Sequence, residues 1–312
     1  MVARAQAGTP AVSPTGVRRW RPPWPLDLRA TLDPLRRGPH DPAFRVEPDG
    51  ALWRASLTPD GPGTLRLRLR RGVVDAAAWG PGAAWLLDGV PDLLGAGDPA
   101  EEFRARHPVV REAVRLRPGL RVGRTGRVFE ALVPAVLEQK VPAAEAWRAW
   151  GYLLRRFGEP APGTEDLPGG PMRVPPPPEV WARIPSWEWH RSGAEPVRAR
   201  TIIGAARVAA RLEEDPAERR LCSLPGIGPW TAAEVRQRAV GDADAVSVGD
   251  YHLPGLVGRA LAGREVDDAG MLELLEPYAG HRHRVTRLLA PFGGTGRPRR
   301  GPRLPVRDYR RF

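Results

Sequence analysis

The sequence has little cysteine, little lysine and no long apolar run, and each shortage excludes a class of structure. Cys222 is the single cysteine among 312 residues, so an intramolecular disulfide and a four-cysteine iron–sulfur cluster are both excluded. No stretch approaches the roughly 18 apolar residues of a membrane span. Residues 1–16 contain no apolar signal core, so we interpret them as the disordered N-terminus of a cytoplasmic protein.

Positive charge is abundant and comes almost entirely from arginine. Lys140 is the single lysine in a chain of net charge +12, and this excess implies an anionic partner such as nucleic acid. Residues 297–312 contain seven arginines and one acidic residue, Asp308. We interpret residues 294–312 as a basic C-terminal tail. Contact with DNA and a solvated, disordered end are the two open alternatives for it.

Hydrophobic periodicity divides the remaining chain into two parts. "ALWRASL" (51–57) and "TLRLRLR" (64–70) alternate apolar and polar residues around a turn, as strands of an antiparallel sheet do. "GVVDAAAWG" (72–80) predicts a further strand and "GAAWLLDGV" (82–90) a short helix. The fold class is therefore α+β: a small N-terminal antiparallel sheet domain over residues 17–97, followed by an all-α core over 98–293.

Several helical features are expected in the second part. Apolar residues at three- and four-residue steps predict a helix within 126–141, with a local kink at Pro134. The same spacing predicts one amphipathic helix over 198–214, whereas "LPGGPMRVPPPPEV" (167–180) predicts a loop without regular structure.

The stretch "SLPGIGPWTAAEV" (223–235) predicts a helix over 215–222, a tight hairpin at 224–228 and a second helix over 229–240 that begins at Pro229. Amides at Gly226 and Gly228 would then face outward at a helix N-terminus, where a phosphate oxygen can bind. A glycine-rich connection that binds nothing is the alternative.

Asp250 directly precedes a helical pattern over 251–261, so we expect it at or near the N-cap. Capping alone would explain an aspartate there. A helix N-terminus also favours an ionised carboxylate, which a reaction developing positive charge requires.

Residues 221–254, "LCSLPGIGPWTAAEVRQRAVGDADAVSVGDYHLP", resemble the core of the helix-hairpin-helix–Gly/Pro/Asp DNA glycosylases, most closely the DNA-3-methyladenine glycosylase II branch. The resemblance covers about 110–293. It implies a monomeric, nucleoid-associated base excision repair enzyme that flips alkylated, cationic methylated purines out of double-stranded DNA and hydrolyses their N-glycosidic bonds.

The resemblance also implies roles for individual residues. Asp250 corresponds to the catalytic aspartate. The expected base pocket comprises Trp230, Tyr251 and His281. The expected DNA contacts are Gly226, Ile227, Gly228, Thr231, and Gln139 with Lys140 at the gap that the flipped base leaves. Backbone carbonyls of Cys222, Leu224 and Ile227 would hold a structural Na⁺ or K⁺, and no other cofactor is expected.

Departures from that pattern narrow the expected activity. Strand-cutting members of the superfamily carry a lysine nucleophile shortly after the hairpin, where this chain has Pro229, Trp230 and Thr231, so a Schiff-base lyase is not expected. A non-catalytic helix-hairpin-helix DNA-binding protein and an inactive glycosylase relative are the alternative functions.

Neighbouring residues carry further expectations. Asp242 and Asp244 lie in a polar turn and are expected to be solvated. Trp187 and Trp189 are expected to pack in the core. His281 and His283 lack the paired motif of a zinc site.

Overall fold

The computed structural model describes residues 12–292. The predicted basic tail and most of the predicted disordered N-terminus lie outside these residues. None of the helices in the described part has the length and apolarity of a bilayer span.

The N-terminal part is a five-stranded antiparallel sheet whose strands follow the order β1-β5-β4-β3-β2. The strands are β1 (Gly16–Trp20), β2 (Phe44–Val46), β3 (Leu52–Thr58), β4 (Gly61–Arg70) and β5 (Val73–Trp79). Leu65 and Leu67 of β4 are buried on one face, while Arg66 and Arg68 on the other face pair with acidic side chains of the β2–β3 connection. This alternation is the reason the segment forms a strand with one covered face.

Short helices cover the sheet, and longer ones form the second part of the molecule. The first three are α1 (Leu28–Leu32), α2 (Ala83–Asp88) and α3 (Val90–Leu93). The helical part contains α4 (Pro108–Leu116), α5 (Val128–Leu137), α6 (Ala143–Phe157), α7 (Pro178–Trp181), α8 (Ser186–Ser192), α9 (Pro196–Ala206), α10 (Ala209–Glu214), α11 (Glu218–Cys222), α12 (Pro229–Ala239), α13 (Leu253–Ala262), α14 (Asp268–Leu275) and α15 (Arg282–Leu289). The α+β fold class predicted from the sequence is confirmed.

The helices pack into two clusters. Helix α5 is buried along its whole length and packs against α6, α9, α10 and α12. Helices α4, α13, α14 and α15 surround a second apolar cluster that includes Val257, Met271 and Val285. The connection from α12 to α13 therefore runs from one cluster to the other, and Asp250 lies on this connection.

The carboxylate of Glu130 on α5 joins the sheet to the helices. It accepts hydrogen bonds from the Ser56 hydroxyl (2.6 Å) and the Leu57 amide (3.3 Å) and pairs with the Arg54 guanidinium. Both charged side chains are largely buried, so the pair fixes the orientation of α5 against β3.

Three predictions, one for a helix, one for a loop and one for a side chain, were wrong in detail. The helix predicted over 198–214 is two helices, because the backbone of Val208 leaves the helical region and tight turn bonds replace the helical ones. The predicted loop over 167–180 contains β7 (Arg173–Val174), paired with β6 (Glu159–Pro160), and the start of α7. Trp189 is buried as expected, but Trp187 is 61% exposed.

Candidate functional site

The predicted hairpin is present between α11 and α12, and its turn requires glycine. Gly226 has φ +84°, and a Cβ there would lie 2.1 Å from Thr201 Oγ1 on α9. The Ile227 amide donates to the Leu224 carbonyl (3.1 Å) and closes the turn, while the buried Ile227 side chain anchors it in the core.

The N-terminus of α12 presents amides at the outer edge of the hairpin. Gly228 is the N-cap and Pro229 the first helical residue, so the amides of Gly228, Trp230 and Thr231 have no acceptor within the helix. A Cβ at Gly228 would meet no atom within 4 Å. An anion can therefore approach the amides of Gly228 and Trp230 closely, which is the geometry of a phosphate site at a helix N-terminus.

Gln139 connects the end of α5 to the hairpin. Its side-chain amide donates to the Gly226 carbonyl (2.9 Å) and to Thr231 Oγ1 (2.8 Å). Thr231 is only 2% exposed. Both side chains thus stabilise the hairpin, an arrangement that sequence spacing does not indicate because 92 positions separate them.

The turn after α5 presents Lys140 to solvent. Lys140 is exposed and adopts a positive φ of 54°, which is uncommon for a residue with a side chain. The buried Arg198 donates to the Gln139 carbonyl (3.0 Å), and Arg37 pairs with Glu138 (3.4 Å). Contacts on both sides of the turn therefore hold Lys140 beside the hairpin.

The carboxylate of Asp250 is fixed by three hydrogen-bond donors. Oδ1 accepts from the amides of His252 (2.7 Å) and Leu253 (2.9 Å) and so caps α13, which begins at Leu253. Oδ2 accepts from the indole Nε1 of Trp230 (3.2 Å), on the first turn of α12. The hairpin helix and the aspartate are therefore in direct contact.

Asp250 has no cationic partner among the described residues, whereas the carboxylates on α12 and in the turn that follows it do. Among residues 12–292 no arginine, lysine or histidine side chain forms an ion pair with it. Glu234 pairs with Arg238 (2.8 Å), and Asp242 pairs with Arg236 (2.6 Å).

Asp244 accepts hydrogen bonds from the backbone amide and the guanidinium of Arg282. Burial raises the pKa of Asp244, but the hydrogen bonds from Arg282 outweigh burial and lower it overall. The prediction that Asp242 and Asp244 are solvated was therefore wrong, because Arg236 at the end of α12 pairs with Asp242 and the distant Arg282 pairs with Asp244.

The aromatic candidates lie in two places. Tyr251 is 56% exposed and follows Asp250 directly, with its ring edge-on to His252 at 4.8 Å. Trp230 is half-buried, and its indole faces the carboxylate. Together they line the surface beside Asp250.

His281 is the N-cap of α15 and packs edge-on against Phe103 at 5.5 Å, and its Nδ1 accepts from Arg284 (3.3 Å). Burial and the Arg284 charge lower the pKa of His281, which favours the neutral ring. Its place in a base pocket stays a prediction.

The predicted cation site also stays a prediction. In the part of the chain that the structure describes, no three histidine, cysteine, aspartate or glutamate side chains come together as metal ligands. The hairpin would use neutral carbonyl oxygens instead. The Cys222 side chain is half-buried, and burial raises the pKa of its thiol.

Comparison with known proteins identifies relatives of this chain. No protein-family model matches it. It is 32% identical over 154 residues to the probable bifunctional transcriptional activator/DNA repair enzyme AlkA of Mycobacterium tuberculosis, which covers 47% of this chain and 30% of that protein. It is 28% identical over 165 residues to the DNA-3-methyladenine glycosylase of Bacillus subtilis, which covers 50% and 53%. The chain thus spans a third to a half of the length of these relatives.

Solved structures show the same fold over nearly the whole chain. The 3-methyladenine DNA glycosylase of Archaeoglobus fulgidus superposes with a TM-score of 0.71 at 18% identity, covering 88% of this chain and 98% of that one. MBOgg1 in complex with a low-affinity DNA ligand superposes with a TM-score of 0.70 at 17% identity, covering 89% and 95%.

Proposed function

We propose that this chain, which has the helix-hairpin-helix DNA glycosylase fold and is related in sequence to DNA-3-methyladenine glycosylases, hydrolyses the N-glycosidic bonds of alkylated purines in double-stranded DNA. One observation carries the proposal. The Asp250 carboxylate is held by three donors, has no cationic partner among the described residues and contacts the hairpin helix through Trp230. Capping of α13 accounts for Oδ1. A protein that only bound DNA would gain nothing from leaving this carboxylate without a cationic partner beside a polyanion.

The hairpin would hold the DNA backbone. Outward amides at Gly228 and Trp230 suit a phosphate oxygen, and the positive end of the α12 dipole adds attraction. Lys140, on the turn held beside the hairpin, would lie at the gap left by the extruded base. One chain contains the hairpin, the carboxylate and the aromatic rings, so the proposed enzyme works as a monomer. Because its substrate is DNA, it would act in the cytoplasm at the nucleoid.

The aromatic rings of Trp230 and Tyr251, beside Asp250, would receive the extruded base. Flipping a base out of the stack costs a few kcal/mol, and stacking on an aromatic ring returns about 1–3 kcal/mol. Trp230 and Tyr251 could therefore offset much of this cost. A methylated purine carries a formal positive charge, and the cation–π attraction adds about 0.5–2 kcal/mol in favour of damaged bases.

Asp250 would stabilise the positive charge that develops on the sugar as the bond breaks. Because an alkylated base leaves as a neutral molecule, no general acid is needed. The carboxylate faces the oxocarbenium-like sugar, and water adds to the anomeric carbon. Opposite charges about 4 Å apart interact by roughly 4 kcal/mol at an effective dielectric near 20, which corresponds to about a thousandfold in rate.

The proposed enzyme releases the base without cutting the strand. Schiff-base lyases need an amine at the reacting sugar, and Lys140 is the single lysine. It lies on the turn after α5 and not on the α12–α13 connection that carries Asp250. We therefore expect an intact abasic strand as the product.

A monovalent cation would add a further contact to the DNA backbone at the hairpin. The carbonyls of Cys222, Leu224 and Ile227 would hold it, since neutral carbonyl oxygens are ligands that Na⁺ and K⁺ accept. The Leu224 carbonyl already accepts one amide but has a second lone pair.

Incubation with methylated duplex DNA tests the proposal. We expect chromatography to detect released 3-methyladenine, strand breaks to appear only after alkali, and borohydride to trap no covalent adduct. Binding of the duplex without base release would instead support the non-catalytic module or an inactive relative. Adduct formation would contradict the absence of lyase chemistry.

A further inference from the structure

A row of arginines lies along the outer surface of α9 and α10. Arg200, Arg207 and Arg211 are all exposed, with the exposed Gly204 between the first two. Steps of four and three residues place Arg200, Gly204 and Arg207 on one side of α9 and its C-cap. Arg211 lies beyond the break at Val208, on α10. The opposite side of α9 carries buried residues such as Ile202 and Ala205. We call Arg200, Gly204, Arg207 and Arg211 the arginine stripe.

The three arginines of the stripe form no ion pair within the described part of the chain. None of the three has a carboxylate within 4 Å in the described part of the chain. Arg198, on the inner side of the same helix, lies 3.7 Å from Glu195 and donates to the Gln139 carbonyl. The uncompensated charges therefore make this surface attractive to anions.

Gly204 is unexplained by the fold. A helix with glycine in its interior is less stable than the same helix with alanine. Glycine is therefore expected only where φ is positive or where a Cβ would not fit. Neither condition applies, because its φ is not positive and a Cβ there would meet no atom within 4 Å. A glycine flanked by two arginines leaves a smooth surface, and a bulky polyanion can approach such a surface closely.

The stripe begins beside the hairpin. Thr201 of α9 packs so tightly on Gly226 that no Cβ fits between them. Gly204 is three residues further on, about 60° around the helix from Thr201. Arg200 and Arg207 are separated by about 10 Å along the axis, which matches the rise of about three nucleotides of one DNA strand.

We propose that the arginine stripe is a second contact track for the DNA backbone, continuous with the hairpin and extending the footprint by about three phosphates. The inference rests on the proposed action on DNA but concerns different residues from those of the reaction. Gly204 allows the backbone to approach α9, and the arginines on either side neutralise phosphates.

Salt dependence of binding to an undamaged duplex tests the track. Each neutralised phosphate contributes about −0.9 to the slope of log K against log salt, so Arg200→Ala/Arg207→Ala should reduce the slope by about 1.8. The matched control is Arg21→Ala/Arg70→Ala, which removes two exposed arginines of the sheet domain that lack an ion-pair partner among the described residues, and it should leave the slope unchanged. Equal slopes for the stripe variant and the wild type, or equal reductions in both double variants, would overturn the proposal.

A second variant tests the close approach at Gly204. The Cβ of Gly204→Leu meets no protein atom, and leucine is a better helix former than glycine, so the melting temperature should not fall. Its DNA affinity should fall at least threefold, and unchanged affinity would contradict the track. Base release by the wild type is measured separately, so a failure of the stripe is distinguishable from a failure of the proposed reaction.

Discussion

Replacing Asp250 by asparagine removes one negative charge from the candidate site and leaves its shape nearly unchanged. The asparagine carbonyl can take the place of Oδ1 and keep the hydrogen bonds from His252 and Leu253, so the start of α13 is preserved. The new amide then faces the indole Nε1 of Trp230, a donor 3.2 Å from Oδ2 in the wild type. That hydrogen bond is lost because both groups are donors.

The two consequences differ in size and in the property they change. Loss of the charge removes about 4 kcal/mol of transition-state stabilisation, so base release should fall about a thousandfold. Loss of the indole hydrogen bond costs about 1.5 kcal/mol of unfolding free energy, because the acceptor is charged but only half-buried. The melting temperature should therefore fall by only a few degrees.

Single-turnover release of 3-methyladenine at saturating enzyme separates the chemical step from DNA binding. Asp268→Asn is the matched control. The Asp268 Oδ1 atom accepts a hydrogen bond from the amide of Gly249, the residue before Asp250, at 3.0 Å. The substitution therefore removes an equal charge beside the site but keeps an oxygen that can accept this hydrogen bond. We expect this control to release base within about threefold of wild type. An undiminished rate for Asp250→Asn, in folded protein that binds DNA, would refute the assigned role of the carboxylate.

Two further predictions concern the hairpin and the buried histidine. Gly226→Ala places a side chain at a position of positive φ, where its Cβ clashes with Thr201. The substitution should therefore both lower the melting temperature and weaken DNA binding. Gly228→Ala meets no protein atom and should weaken binding alone; equal melting temperatures for the two variants would contradict this. Burial, aided by nearby arginines, lowers the pKa of His283 well below 6.5. The unfolded chain therefore takes up a proton first as pH falls, and unfolding free energy should drop by up to about 1.4 kcal/mol per pH unit below about 6.5. Denaturant titrations of His283→Leu should lack this part of the drop, and an identical pH profile would show that the folded protein also protonates His283.

Local patterns account for the parts of the fold that were predicted correctly. The apolar and polar residues of β4 alternate because one face packs on helices and the other carries arginines that pair with acidic side chains. The hairpin at 224–228 follows from glycine and proline at positions where the backbone requires them. Asp250 precedes α13 because a carboxylate can accept from the free amides of a helix N-terminus.

The errors concern features that periodicity and composition do not reveal. Apolar spacing continues across Val208, so periodicity does not reveal that the chain turns there between α9 and α10. Asp244 lies in a polar turn, yet it is paired with Arg282, 38 positions away. The exposed Trp187 and the buried Trp189 differ only in the side of α8 that faces the core.

The sequence by itself determined the elements, the hairpin and the position of one acidic residue before a helix, because each depends on interactions within a few residues. Tertiary structure decided which groups those elements meet. Gln139 stabilises a hairpin that begins 85 positions later in the chain, the Trp230 indole reaches Asp250 across 20 positions, and neighbouring carboxylates are neutralised while Asp250 is not. Helix packing sets these distances, and no local propensity encodes them.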